Sequence, residues 1–599
     1  VIDTEDMDRR TFLTGAGAGV AFAARAQNQP KKQFVEERVE RITAPPKPAL
    51  AINHLGFLPG GKKIVIFRLT GEAPAEFVLR DIGSQPKPPE LHRRFTRVTS
   101  DLGDCLVGDF SDIERPGMYQ VTAGSEKSVP FFIRDDVWQR TLAKAVSYIH
   151  SQRCGQEVPN VHPACHLDDA RQRDTGEHID TTGGWHDAGD LRKWVSATIL
   201  NGIALIGLTR SLGDKWDAAG SGVKTLLDEA RWGNTYFLKM QDKDGRVRND
   251  VAGGVNGDNS DNHWTDNQTG TPDDRYINPA KPASVQALFT LFEGMMANAF
   301  GDADAAYGQQ CLHAALRCWD AANRFGGTGD LAWWAMAAAE LDRATGGVKY
   351  RNYAINFGSQ IVSLQNTEFS NGQKLVRGWF RASGNSPEPY VDVVHGALPV
   401  LALLRLIEAY PNVEEAEAWR DAVKRHLDEY VLPMAARSPY RIVPFGIFRG
   451  SPSPELYRPL EGKLTYRFFM PVRHTDWWVG TTSHLESYAH ALSLASKILG
   501  KRAYRDLALR RLEWVMGANP FGACLMTGEG MRNPYPHSRF VGLIPGGIMN
   551  GIAGNARDEP ILDIENGFDW RTTEYWTPHN AYYIQAVASL AAMRAAFES

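Results

Sequence analysis

Gly183-Gly184-Trp185-His186-Asp187-Ala188-Gly189-Asp190 is the stretch on which the reading of this chain turns. Two aspartates stand three residues apart, joined only by Ala and Gly. That spacing puts two carboxylates on one tight turn, and the small residues let backbone and solvent come close. Such a pair can hold a water molecule from two sides. A distant carboxylic acid would complete the acid/base pair that cleaves glycosidic bonds. A lone Asp-x-x-Asp is more often a polar turn that caps the next helix. The second half of the chemistry must therefore lie elsewhere in the chain.

The candidate is Glu574, in Thr573-Glu574-Tyr575-Trp576-Thr577-Pro578-His579-Asn580-Ala581. A glutamate among aromatic rings is a setting in which desolvation raises a carboxyl pKa, as a general acid requires. The composition agrees with an ordinary soluble globular protein: 599 residues, 43% hydrophobic, 23% charged, formal net charge -4. The length allows about two to four domains. The charge gives no reason to expect nucleic acid or an anionic membrane as partner. The 16 Trp and 19 Tyr include flat faces of the kind that bind sugar rings.

The chain divides by pattern. Arg9-Arg10-Thr11-Phe12-Leu13, a small apolar run from Thr14 to Ala24, and Ala24-Arg25-Ala26 read as a twin-arginine-type export signal over residues 1–26. Met7 is a candidate translation start, and Gln27 a candidate mature start. The apolar run is too short to span a bilayer. Export implies a periplasmic or extracellular protein with no membrane contact after signal cleavage. Residues 27–47 read as a linker. Over 48–134, short runs such as Ile64-Val65-Ile66-Phe67 and Met118-Tyr119-Gln120-Val121 alternate with turn signals such as Pro59-Gly60-Gly61. About ninety such residues suit a small β-sandwich.

From 135 to 599 the period becomes helical. Val394, Leu398, Leu401 and Leu404 mark one stripe; Leu485, Tyr488, Leu492, Ala495 and Leu499 mark another. Twelve helical stretches, many paired by brief turns, predict a mainly α protein: an (α/α)6 barrel behind the sandwich. No repeating sequence period supports a solenoid. The polar segments 248–281, 366–390 and 433–481 are long enough to wall a cleft. Of the six cysteines, Cys311 and Cys318 fall seven apart on one predicted helix, about 10 Å along its axis. They read as buried thiols, too far apart for a disulfide.

Taken together, these motifs resemble glycoside hydrolase family 9 over most of the chain. The turn 183–190 and Glu574 with Asn580-Ala581 carry the resemblance for the catalytic domain, with Gln152-Arg153-Cys154-Gly155, Met516-Gly517-Ala518-Asn519-Pro520 and Thr527-Gly528. Ile52-Asn53-His54-Leu55-Gly56-Phe57-Leu58-Pro59, Gly108-Asp109-Phe110-Ser111 and Ser128-Val129-Pro130-Phe131-Phe132-Ile133 resemble the Ig-like module that precedes many such domains. The resemblance implies that Asp190 is the base that activates water, Asp187 helps hold that water, and Glu574 is the general acid. It implies inversion, which needs acid and base roughly 6.5–9.5 Å apart. His537 and Arg539 of His537-Ser538-Arg539 would bind sugar hydroxyls. The family's usual second histidine is replaced there by Ser538, which puts ordinary cellulase specificity in question. Trp185, Tyr575, Trp576 and His579 are further substrate-binding candidates.

Cys154, Cys165, His166 and His186 supply two thiolates and two imidazoles, a donor set suited to structural zinc, and the resemblance implies a zinc site of this kind. The alternative is a Cys154–Cys165 disulfide with solvent histidines. A zinc on His186 would stiffen the turn that bears the base. Calcium is left open. The resemblance implies acidic loop ligands near Asp330, but Thr328-Gly329-Asp330-Leu331 lacks one of them, and 257–274 reads equally as ligand loop or solvated loop. The expected function is an inverting glycoside hydrolase of the endo-β-1,4-glucanase type, acting on cellulose or a related β-glucan. Alternatives are an exo-acting β-glucosidase or β-glucosaminidase on short oligosaccharides, with 433–481 blocking one end of the cleft, and a silent carbohydrate-binding protein. Retention of Asp187, Asp190 and Glu574 together argues against the silent reading.

Overall fold

Alternating burial shapes the first part of the chain. In Glu76–Asp81 and Gly117–Ala123 every second side chain turns inward, the two-residue period of a half-buried strand. The computed structural model describes residues 49–597, apart from 70, 72, 214–215, 217–219, 254–262, 325, 369–375, 451–456, 461–462, 471–478 and 568. The expected signal and linker, 1–47, lie outside the described residues. Two sheets face each other between Leu50 and Ile133. One runs in the order Leu50–Ala51, Ile64–Arg68, Cys105–Asp109, Thr96–Val98. The other runs Gly56–Phe57, Phe131–Ile133, Gly117–Ala123, Glu76–Asp81, Leu91–Arg94, with Glu126–Lys127 beside Gly117–Ala123. Between them lie Phe57, Phe77, Phe110 and Phe131. Phe57 meets Phe110 and Phe131 edge to face at 5.5 Å, a favoured aromatic geometry.

Twelve long helices follow among the described residues: α1 Gln139–Ser151, α2 Val195–Leu212, α3 Leu226–Met240, α4 Ala283–Phe300, α5 Ala305–Ala321, α6 Thr328–Thr345, α7 Val348–Ser363, α8 Leu398–Ala409, α9 Ala416–His426, α10 Thr482–Leu499, α11 Arg502–Val515 and α12 Thr577–Phe597. The even-numbered helices pack in the order α2, α4, α6, α8, α10, α12 and back to α2, closing an inner ring. The odd-numbered helices back it from outside. Each set differs in its side chains as its place demands. Outer α9 buries Ala416, Trp419, Ala422, Val423 and His426, one face only. Inner α2 buries every residue from Val195 to Ile206. Among the described helices α2 alone is long and apolar enough to cross a bilayer. Its burial inside the ring accounts for that composition.

Local chemistry sets several helix ends. Thr225 and Asp304 cap α3 and α5 by accepting the N–H of Asp228 at 3.0 Å and of Tyr307 at 3.1 Å. Gly346 and Gly500 end α6 and α10 at φ 64° and 68°, backbone that glycine adopts without strain. Cys311 and Cys318 are both buried thiols on α5.

The sandwich and the barrel share an interface. Ala51, Leu55, Ile66 and Cys105 belong to the barrel's apolar core rather than the sandwich's own. His54 donates its N–H to the carbonyl of Met516 at 2.8 Å and accepts from Met531 N at 3.1 Å through its ring. A Cβ on Gly517 would come within 2.4 Å of the His54 ring, so this contact requires glycine.

Candidate active site and metal centre

The turn 183–190 ends just before α2, and Glu574 lies just before α12. Inner helices α2 and α12 are neighbours in the ring, so residues almost 390 positions apart meet at one pole of the barrel. The contacts are direct. Ala188 and Trp576 form an antiparallel bridge. Thr577 N donates to the Asp187 carbonyl at 2.9 Å. Trp576 Nε1 donates to Asp187 Oδ2 at 2.8 Å. Asp187, Asp190 and Glu574 are all buried, at 0%, 6% and 2% exposure. Asp190 Oδ1 accepts the N–H of Arg192 at 3.3 Å.

Two glycines make the turn possible. Gly184 has φ 76°, and a Cβ there would reach 2.7 Å from Tyr236. A Cβ on Gly189 would reach 2.5 Å from the His537 carbonyl. The absent side chain lets the loop 537–539 lie directly over the turn, where Arg539 N donates to Gly189 O at 2.8 Å. His537 Nδ1 donates to the Gly567 carbonyl at 2.9 Å. His537 is half-buried and Arg539 exposed, positions from which both can meet a ligand.

The glutamate side is built from backbone. Met549 and Tyr575 form a bridge, Asn550 N donates to Glu574 O at 2.8 Å, and His537 N donates to Thr573 O at 3.2 Å. Asn550 adds its side chain, with Nδ2 to Trp570 O at 2.8 Å and Oδ1 to His579 Nε2 at 2.9 Å.

Several sequence expectations are corrected here. Trp185 is no sugar platform: it is fully buried, its Nε1 donates to Glu229 at 2.9 Å, and Gly233 packs against its ring. Tyr575 is also fully buried, edge-on to Tyr148 at 5.3 Å, with its hydroxyl on Ser538. His579 is 1% exposed and bonded to Asn550. Burial pushes its pKa down to about 3, so it is neutral. Trp576 is buried as well and spends its N–H on Asp187. Aromatic residues beside a catalytic motif read alike in sequence whether they face sugar or core; only packing separates them.

Beneath the turn, Cys154, Cys165, His166 and His186 converge, one ligand atom from each lying within 4.8 Å of the others. Cys154 Sγ is 3.6 Å from His166 Nδ1, Cys165 Sγ 3.8 Å from His186 Nε2, and the two histidine nitrogens are 3.3 Å apart. All four residues are buried. Both cysteines are free thiols, so the disulfide alternative is not what the structure holds. The backbone weaves the four together: Cys154 N bonds Gly184 O, Gly155 N bonds Cys165 O, and His186 N bonds Gln152 O. Burial opposes ionisation of Cys154, yet the Cys165 thiol bonded to it and the Lys193 charge hold its pKa well below the usual range. Burial drives His186 down to about 3, leaving a neutral imidazole. The donor set can hold a metal ion.

Sequence reasoning missed the ionic base under this centre. Asp169 is fully buried between Arg275 and Lys193, each 2.6 Å from its Oδ2, and Arg275 Nη2 also reaches Cys154 Sγ at 3.9 Å. Asp168-Asp169, one residue beyond Cys165-His166, was the available signal. Trp264 was missed too. It stacks on His166 at 5.7 Å and donates to Arg539 O at 3.3 Å, linking the centre to the loop above the turn. Asp330, weighed for calcium, is buried at the start of α6. Burial pushes its carboxyl up to about 7, and it joins no group of three potential ligands among the described residues.

A closed double ring of helices bearing two carboxylate-carrying segments at one pole is the architecture of a six-hairpin glycosidase. The chain belongs to glycosyl hydrolase family 9: the family model matches residues 138–545. The model of the cellulase N-terminal Ig-like domain matches 46–128. A cellulose 1,4-beta-cellobiosidase of Acetivibrio thermocellus is 26% identical over 385 residues, 52% of this chain and 42% of that one. The chain thus spans less than half the length of that relative. A xyloglucan-specific endo-beta-1,4-glucanase of Bacteroides ovatus is 24% identical, covering 92% and 94% of the two chains. The solved structure of a Zn-binding triple mutant of GH family 9 endoglucanase J30 superposes with a TM-score of 0.64 at 24% identity, covering 89% of this chain and 99% of that one. At that identity the likeness speaks for the fold.

Proposed function

We propose that this protein hydrolyses β-1,4-glucosidic bonds of cellulose or a related β-glucan with inversion, cutting within the chain. The observation that carries the reading is the locking of the Asp187–Asp190 turn against the Glu574 segment through the Ala188–Trp576 bridge and the Trp576–Asp187 hydrogen bond. Asp190 takes a proton from water. Asp187, held by Trp576, steadies that water. Glu574, kept in a buried setting, protonates the leaving glycosidic oxygen. Inversion needs acid and base on opposite faces of the sugar with room for water between. His537 and Arg539 bond the sugar hydroxyls. The glucanase names among the relatives support the substrate class.

The metal centre is read as structural zinc. A tetrahedral zinc with Zn–S near 2.3 Å and Zn–N near 2.05 Å has S–N edges of about 3.6 Å and N–N edges of about 3.3 Å. The thiol–imidazole separations of 3.6 and 3.8 Å and the imidazole separation of 3.3 Å fit those edges. With all four positions filled by protein, the ion's contribution is to anchor His186, next to Asp187. The Arg9-Arg10 leader supports export of the folded, metal-loaded protein to the periplasm or beyond.

A second reading, exo action on short oligosaccharides, draws on segment 433–481. It forms a three-stranded sheet of Gly446–Arg449, Leu464–Arg467 and Arg458–Pro459. Arg458 and Phe469 tie it to Asp558, on the chain leading to Glu574. The deciding experiment measures reducing ends from polymeric and short β-glucans, with NMR of the first-formed anomer. Fast viscosity loss and an α-anomer first product are expected. A first-formed β-anomer would refute inversion, and single sugars released from chain ends would transfer the reading to exo action.

A further inference from the structure

The loop 263–275 lies against the Cys/His centre, and together with Asp168 it forms a second, chemically different cluster. Asp168, Asp273 and Asp274 bring one ligand atom each within 4.8 Å of one another. Every donor in this group is a carboxylate oxygen, whereas the neighbouring group is thiolate and imidazole. Hard oxygen donors favour calcium, and soft donors favour zinc.

Most oxygens of the cluster already have hydrogen-bond donors. Asp273 accepts from Asp266 N at 2.8 Å and Thr271 Oγ1 at 2.6 Å. Asp274 accepts from Gly270 N at 2.9 Å and Arg171 Nη2 at 2.7 Å. Asp168 is the exception. It is 0% exposed, its Oδ1 accepts from Thr265 Oγ1 at 2.7 Å, and its Oδ2 has no hydrogen-bond partner. A buried carboxylate oxygen without a donor is costly, more so beside two further carboxylates with a single guanidinium bonded nearby. A divalent cation removes both penalties at once.

We propose that Asp168, Asp273 and Asp274 bind a calcium ion that clips the 263–275 loop to the segment bearing Cys165 and His166. The clip has a consequence for the cleft. Leu167 N already bonds Asn267 Oδ1 at 3.0 Å and His166 Nε2 faces the His263 carbonyl at 3.2 Å. The same loop presents Trp264 to the Arg539 carbonyl. Calcium therefore orders a wall of the candidate sugar site from a position outside it, independently of which glucan is cut.

The test uses the full-length protein with its zinc content fixed by elemental analysis. Calcium chloride is titrated while thermal unfolding is followed, and terbium is titrated with tryptophan excitation, Trp264 being the nearby antenna. A saturable rise in Tm and sensitised terbium emission displaced by calcium are expected. Asp168→Asn and Asp273→Asn should each weaken calcium by more than the roughly 10–100-fold that loss of an outer-sphere partner costs, with zinc unchanged. If Asp168→Asn fails to fold or loses zinc, Asp273→Asn decides, since Asp273 lies on the half-buried outer loop. No calcium response in the parent protein, or the same response in the deciding variant as in the parent, overturns the proposal.

Discussion

The two segments that carry the candidate catalytic carboxylates are held in opposite ways. The aspartate side is a glycine-rich turn with little regular structure, held from beneath by four Cys and His side chains and, below them, by the Arg275–Asp169–Lys193 ion group. The glutamate side is held by backbone, through the Met549–Tyr575 bridge and the Asn550–Glu574 bond. A turn that must leave room for water cannot form a continuous ladder, so its rigidity has to come from side chains below. An extended segment ending at a helix start can borrow a neighbour's backbone. Trp576 joins the two halves by donating to Asp187.

The largest effects should come from removing the chemistry on either side. Asp190→Asn and Glu574→Gln should each lower kcat by roughly 10²–10⁴-fold, the usual worth of general acid or base help. The circular dichroism spectrum and Tm should stay near the parent's. If Glu574→Gln keeps most activity on an unactivated polymer, the acid lies elsewhere. Azide rescuing Asp190→Asn but not Glu574→Gln would sharpen the distinction between the two sides.

Next come changes that reach only one side. Cys165→Ser should lower zinc content and cost on the order of 4 kcal/mol of stability, the range associated with metal loss. Activity should fall through disorder of the Asp187 turn. Asn550→Ala should leave zinc untouched and cost about 1–3 kcal/mol for each buried group left unsatisfied, with a smaller fall in kcat. Equal zinc loss in both variants would erase the proposed division of labour.

Removing residues 1–134 tests a support common to both sides. It uncovers the barrel surface packed against Ala51, Leu55 and Ile66, and the barrel should aggregate or melt several degrees lower. Unchanged Tm with lost affinity for solid polymer would make the module a binding domain instead.

The last prediction concerns two buried carboxyls on the inner helices. Burial raises Glu486 and Glu293, on inner helices α10 and α4, from 4.5 to about 8. A folded pKa above the unfolded one means the folded state holds protons the unfolded state has released. Stability from these groups is full below about 4.5 and is lost as pH rises through about 8. Glu486→Gln should flatten the fall of Tm across that window. An unaltered slope would show that Glu486 is ionised in the fold.

Much of this was legible in the residues. The two-residue period marked the sandwich strands, and the helical period marked all twelve long helices. Each is a local consequence of where a side chain points, so neighbouring positions suffice to read it. Gly184 and Gly189 announced a turn that other residues could not make, and two cysteines with two histidines offered a ligand set. Sequence alone did not separate Trp185 and Tyr575, packed in the interior, from Trp264, which reaches the loop above the turn. Nor did it place Arg275 under Cys154. Which face of an aromatic ring is covered, and which buried charge answers another across more than 80 residues, depends on how the ring of helices closes. That closure is decided by the whole set of packed side chains at once. Only there do α2 and α12 become neighbours and bring Asp187, Asp190 and Glu574 to one place.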